Sequence, residues 1–172
     1  MSSETEVKMT HEDIAAALKI AMRHMPSPVA LITATDPAAG EPVGLAATAF
    51  VPVAMDPPSM LVCINQSGSA YAAIKAAGAF CINILGLEHS SALAPFASSD
   101  RRDERFDGAH WQTRNGIPYL EGTSANIFCR NVRSDVFGTH EIFIGEVFDI
   151  IVETAATPAL WHAGQVVGLT GA

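Results

Sequence analysis

The histidine of Gly138-Thr139-His140 is the residue of this chain best placed to do chemistry. An imidazole can ligate a metal, move a proton or hold a polar ligand, and its surroundings decide which. The residues from Glu141 to Val152 are mostly β-branched or aromatic and carry no helical apolar stripe. They predict a long, mostly buried strand with His140 at its mouth, just past a glycine that frees the backbone to turn. The plain alternative is a strand-end histidine bonded only to its neighbours, and His140 alone does not decide between the two.

Rival chemistries fail on spacing. A zinc-protease helix needs a second histidine four positions on, where Ile144 stands, and a strand cannot bring two such imidazoles to one metal. No metal site is expected. The strings of a Walker loop, a Rossmann fingerprint and a nucleophile elbow do not occur. Cys63, Cys81 and Cys129 are widely spaced and set among apolar residues. They read as reduced core thiols rather than a disulfide pair, metal ligands or a nucleophile. A protein with a binding site but no reactive side chain commonly borrows its chemistry from a cofactor, and a redox cofactor fits.

The elements that must position these residues follow from composition and pattern. At 172 residues, 49% hydrophobic and 16% charged, the chain has material for one domain with a sizeable core. That core is expected over about residues 15–170, with 1–9 flexible. The surplus of apolar over charged residues hints at an oligomer. A net charge of −8 opposes nucleic acid and anionic membranes, and Arg101, Arg102 and Arg105 form the one basic cluster. No run approaches the roughly 20 apolar residues of a membrane span, and the polar N-terminus lacks a signal peptide's apolar segment. The expected location is the cytoplasm.

Thr10-His11-Glu12-Asp13 reads as a capped helix start, followed by Ile14, Ala17, Leu18, Ala21, Met22 and Met25 at helical spacing. Pro26 and Pro28 end that helix. Strands are expected over 29–35 and about 43–51, paired as a hairpin, and then over 60–65. A polar turn at Ser67-Gly68-Ser69 leads to a helix over 70–77 and a strand over 80–85. A short helix over 88–96, an exposed charged loop over 98–107, and β structure at 111–113, 124–136 and after His140 complete the chain. The fold class is β-rich α+β: an antiparallel barrel with peripheral helices, because strand and helix do not alternate regularly.

Five ordered segments carry a resemblance. They are Gly44 to Pro58; Leu61 to Asn65 with Ser67 to Ala70; Phe80 to Leu85; Arg105-Phe106; and Gly138-Thr139-His140 with Gly145-Glu146-Val147. Through them the chain resembles the short-chain flavin reductases, NAD(P)H:flavin oxidoreductases with an FMN-binding split barrel that feed reduced flavin to two-component monooxygenases. Leu160 to Gly164 is a looser match to that family's C-terminal segment.

The resemblance implies FMN or FAD as flavin, NADH or NADPH as reductant, a homodimer with the site near its interface, and a separate flavin-dependent oxygenase as partner. It places cofactor contacts at Ala46, Ala47, Thr48, Ala49, Val53, Cys63, Asn65, Ser67, Ser69, Ala70, Asn83, Arg105, His140, Trp161 and His162. His140 is the catalytic residue in the sense of positioning the nicotinamide rather than carrying a proton. Small residues from Ala46 to Ala49 would let a flat isoalloxazine approach the main chain. Ser67 to Ser69 at a helix start would hold its phosphate. The family often has a hydroxyl at the places of Ala46 and Ala54 and a lysine at that of Gln66, so side-chain contacts here are fewer. Two other readings stay open: a flavin-binding electron carrier or storage protein without useful NAD(P)H chemistry, and an interaction domain that has lost flavin.

Overall fold

The computed structural model describes residues 9–108 and 110–169, so the flexible segment expected over 1–9 lies outside it except at Met9. Helix α1 (His11–Arg23) starts at the expected capping box: Asp13 N donates to Thr10 Oγ1 at 3.1 Å and Thr10 N to Asp13 Oδ2 at 3.0 Å. No residue of α1 is buried. After the two-residue strand β1 (Ser27–Pro28) comes β2 (Ala30–Thr35), in which residues 30–34 are all at 0% exposure. A continuous apolar run of that kind is a strand covered on both faces. It turns back as β3 (Pro42–Ala47), the expected hairpin partner.

The strand expected through Val51 is interrupted. Thr48 and Ala49 leave the ladder, and β4 (Phe50–Met55) pairs instead with β5 (Pro58–Asn65) through a turn at Asp56 and Pro57. The chain thus steps from one sheet edge to the other, which local alternation cannot reveal. Helix α2 (Tyr71–Ala77) ends at Gly78 in the left-handed region, φ 67°, and leads to β6 (Ala79–Ile84). The expected helix over 88–96 is a 3₁₀ turn over Leu87–Ala92 continued by α3 (Leu93–Ala97). A small hairpin, β7 (Trp111–Arg114) with β8 (Ile117–Leu120), precedes the two long strands β9 (Ala125–Phe137) and β10 (His140–Val152). The tail forms β11 (Ala159–His162) and β12 (Gln165–Gly168), which join β1 in a second sheet.

Among the described residues the main sheet runs β3-β2-β6-β9-β10-β5-β4 with antiparallel neighbours throughout. Its two edge strands are joined by only two residues, a reach of about 10 Å, so the sheet must curl until its edges meet at that end. No ladder joins β3 to β4 among the described residues. The result is an antiparallel barrel split along one seam, the architecture expected. Ile74 of α2 belongs to the principal core cluster, with Val62, Ile64, Phe80, Ile82 and Phe143 of the sheet. β10 passes close to β9 and β6 at Gly145, where a Cβ would stand 2.6 Å from that of Cys129. Among the described residues no helix is long and apolar enough to cross a membrane.

Candidate functional site

The seam of the barrel holds the site. Because β3 is an edge strand, its outward N–H and C=O groups are not taken up by β2. Thr48 and Ala49, which belong to no ladder, are exposed, and Ala49 O accepts from Cys63 N at 2.9 Å. On the far side of the gap, β10 pairs with β5 so that His140 lies opposite Asn65. The side chains of Ala46, Ala47, Thr48, Ala49, Cys63, Asn65 and His140 line one cleft of about 300 Å³, together with Gly68. The histidine at the strand mouth and the small-residue break therefore meet in one place.

The ring of His140 is held from one side: its Nδ1 lies 2.9 Å from Thr139 Oγ1, hydrogen-bonded in either tautomer. Nε2 is left for a ligand. Gly138, at φ 59°, makes the turn that delivers this pair to the cleft. Burial raises the Cys63 thiol above its ordinary pKa and pushes Cys129 up to about 12, so neither is a thiolate nucleophile.

A recess of about 100 Å³ next to the cleft is lined by Gly44, Ser69, Ala70, Arg102, Arg105 and Phe106. Arg105 is clamped there by carbonyls: Nε donates to Pro95 O at 3.1 Å, Nη1 to Gly44 O at 3.2 Å and Nη2 to Ser98 O at 3.3 Å. Nη1 also reaches Ser69 Oγ at 3.5 Å. Desolvation, and then the charge of Arg102, lower the Arg105 pKa, though a guanidinium stays charged at any working pH. Asn65 Oδ1 accepts from Ser67 N at 3.0 Å and Ser67 Oγ at 2.9 Å, which shapes the loop into α2. Gln66 Nε2 is buried with no partner among the described residues, a donor left over beside that loop. Hydroxyls, a guanidinium and an orphaned amide donor fit a phosphate, and the small residues of the cleft fit a flat ring. The residues present therefore suit a flavin mononucleotide.

Five residues named from sequence, Val53, Ser67, Asn83, Trp161 and His162, line neither the cleft nor the recess. Asn83 is in the core at 0% exposure, with its amide fully used. Nδ2 donates to Leu31 O at 2.8 Å and Thr33 Oγ1 at 3.0 Å, while Oδ1 accepts from Leu120 N at 2.8 Å and Asn126 Nδ2 at 2.9 Å. Val53 stands half-exposed on β4, away from the cleft. Trp161 borders a side recess of about 170 Å³ that shares Ala46, Ala47 and Thr48 with the cleft, whereas His162 lines neither. Sequence reasoning did not reach Gln66 as an orphaned donor, nor the cluster under β10. There Glu141, 2% exposed, takes hydrogen bonds from Tyr71 Oη and, at 2.9 Å, from Lys75 Nζ. A further cleft of about 560 Å³ is lined by Glu88, Glu104 and Asp107 together with Arg101 and Arg105, and so shares Arg105 with the recess.

Residues 22–170 match the model of the flavin reductase like domain family. The chain belongs to that family. The reductase component of the FADH(2)-dependent resorcinol hydroxylase of Rhizobium sp. is 32% identical over 155 residues, 90% of this chain and 87% of that protein. The FMN reductase (NADH) RutF of Agrobacterium fabrum is 37% identical over 154 residues, 87% of each. The crystal structure of a nitrilotriacetate monooxygenase component B homologue from Mycobacterium thermoresistibile superposes with a TM-score of 0.84 at 26% identity. That superposition covers 94% of this chain and 89% of that one. The family membership accounts for the split barrel.

Proposed function

We propose that this protein is an NADH-dependent flavin reductase that reduces FMN or FAD and releases it to a separate oxygenase. The observation that carries the reading is the shared cleft: Thr48 at the strand break and His140 at the mouth of β10 line it from opposite sides, with Ser69 and Arg105 in the next recess. Flavin bound there supplies the hydride acceptor, its N5, for a hydride from nicotinamide C4. The chain's own task is to hold two rings at contact distance and keep water out. The edge of β3 and Thr48 address the ring, Arg105 and Ser69 hold the phosphate, and His140 offers Nε2 to the nicotinamide. No side chain of the cleft is a nucleophile, and none is required. The relatives named as an FMN reductase (NADH) and as a hydroxylase's reductase component support both the reductant and the downstream oxygenase.

The working form in this reading is a homodimer in the cytoplasm. The apolar stripe of α1 supports it, with Ile14 at 52% and Leu18 at 59% exposure, as does Phe137 at 81% on the β9–β10 turn. Cys63, Cys81 and Cys129 as free thiols fit a reducing compartment. Light scattering after size exclusion should give twice the chain mass of 18.1 kDa, and a monomer would refute the dimer.

Mixing the purified protein with NADH or NADPH and with FMN or FAD, and following absorbance at roughly 340 nm where reduced nicotinamide absorbs, tests the activity. Turnover with NADH is expected. A tight yellow complex without turnover would instead mark an electron carrier, and no flavin binding would mark a domain that has lost the cofactor.

A further inference from the structure

Glu141 is the residue whose placement the reaction does not explain. It is a carboxylate at 2% exposure on the core side of β10, and an ionised group in that position loses its water. Three side chains from two elements replace that water: Tyr71 Oη and Lys75 Nζ from α2, and the Ser134 side chain from β9. Burial alone would raise the carboxyl's pKa, but the bonds from Ser134, Tyr71 and Lys75, with the charge of Lys75, outweigh it and bring it to about 2. The Tyr71 ring also stands edge-on to Phe143, 6.4 Å between centroids.

The location matters more than the charge. Tyr71 is the first residue of α2 and follows Ser67 to Ala70 directly, while Glu141 follows His140 on the opposite face of the strand. Residues 132–137 of β9 are exposed, the β9–β10 ladder shifts register between Ile144 and Gly145, and of residues 140–144 only Glu141 and Phe143 are buried. Beyond the β5–β10 ladder itself, the main-chain bond Gln66 N to Thr139 O at 3.0 Å ties the tip of the β9–β10 pair to the Asn65 loop.

We propose that Glu141 is a positioning residue, which with Tyr71 and Lys75 locks the start of β10 to α2 and so fixes His140 relative to the phosphate loop across the cleft. A buried ion pair contributes little net stability against an apolar replacement, so one retained here acts on geometry. The inference rests on the reductase reading for the role of His140, but the lock itself is a property of the ligand-free chain.

The test uses the full chain with Glu141→Gln, Lys75→Met and Lys75→Arg. Without ligand, hydrogen exchange at the Gln66 amide reports whether the tip is held. Glu141→Gln should lower its protection by about tenfold or more, Lys75→Met less, and Lys75→Arg should restore it. With flavin and NADH, Glu141→Gln should raise KM for NADH about tenfold while kcat and the flavin Kd stay within about threefold. Because Lys75 is half-exposed, its variants fold even if Glu141→Gln does not. Unchanged Gln66 protection in both Glu141→Gln and Lys75→Met overturns the lock whatever the turnover. A lowered melting temperature with an unchanged KM reduces Glu141 to a stability role and also overturns it. If the wild-type protein does not oxidise NADH at all, the reductase reading fails by itself, and Gln66 protection still decides whether the lock exists.

Discussion

His140 and Asn65 stand directly opposite each other across the β5–β10 ladder, and both are exposed into the cleft that Thr48 closes from the other side. Opposed residues of an antiparallel pair have Cβ atoms about 5 Å apart, so one ligand face meets both. Asn65 is bound to Ser67 and shapes the phosphate loop, which leaves His140 as the side chain free to meet a second ring. Replacing His140 by Ala should therefore lower kcat/KM for NADH by about tenfold or more and change flavin Kd by less than about threefold. Steady-state rates and a flavin fluorescence titration measure the two. Equal losses in both would contradict a nicotinamide contact.

Arg105 makes a different prediction. Its guanidinium is held by the carbonyls of Pro95, Gly44 and Ser98, which aims it at Ser69 and keeps it in place without a ligand. A bond from such a group to phosphate is worth about 1.5–3 kcal/mol, or roughly tenfold to a hundredfold in Kd. Arg105→Met should weaken FMN binding by that factor and leave riboflavin, which lacks the phosphate, almost unaffected. Arg105→Lys should rescue only part, because an ammonium cannot bridge several carbonyls and a phosphate together. If FMN and riboflavin weaken alike, Arg105 only holds its loop.

Asn83 should behave in the opposite sense. Its amide bonds to Leu31, Thr33, Leu120 and Asn126 join β2, β6 and β9 to the segment at Leu120 deep in the core. Truncation to Ala strands several buried donors and acceptors and should cost roughly 2–4 kcal/mol of stability. Denaturant unfolding would show the loss, and the protein that remains folded should bind FMN as the wild type does. A selective loss of FMN affinity at unchanged stability would return Asn83 to the cofactor site.

These contrasts show which parts of the molecule local sequence carries. The α1 start at Thr10, the β2–β3 hairpin, and the β9 and β10 strands rest on caps, alternation and β-branched runs, all of them local signals. β8 is too short to stand out by alternation, although Asn115 and Gly116, both at positive φ, form the kind of turn that marks a hairpin. The break at Thr48 could not be read, because whether β4 continues beside β2 or crosses to β5 is decided by closure of the whole sheet. The site divides in the same way. Ala46 to Ala49, Asn65 and His140 were legible as a set through the resemblance, and the cleft joins them. Asn83 shares their strand-end pattern but points inward, a matter of tertiary register that no spacing records. Glu141 is not legible from sequence, because a charged residue beside His140 reads as solvent-facing and only the packing of α2 buries it.

The buried Glu141 gives the last prediction, on pH. Its carboxyl has a folded-state pKa of about 2 against an ordinary value of 4.5 in the unfolded chain. Folding therefore favours the ionised form, and this stabilisation is fully present above pH 4.5. As pH falls from there through about 2, the unfolded chain takes up the proton first and the contribution is lost. Asp149 and Glu104, both lowered by arginine partners, lose stability in the same direction, but they are common to wild type and variant. Urea unfolding of wild type and Glu141→Gln at pH 6, 4 and 3 should thus show a gap that narrows steadily with acid, since Gln has no proton to gain. A gap that stays constant from pH 6 to pH 3 would mean that the carboxyl is not ionised beneath Tyr71 and Lys75.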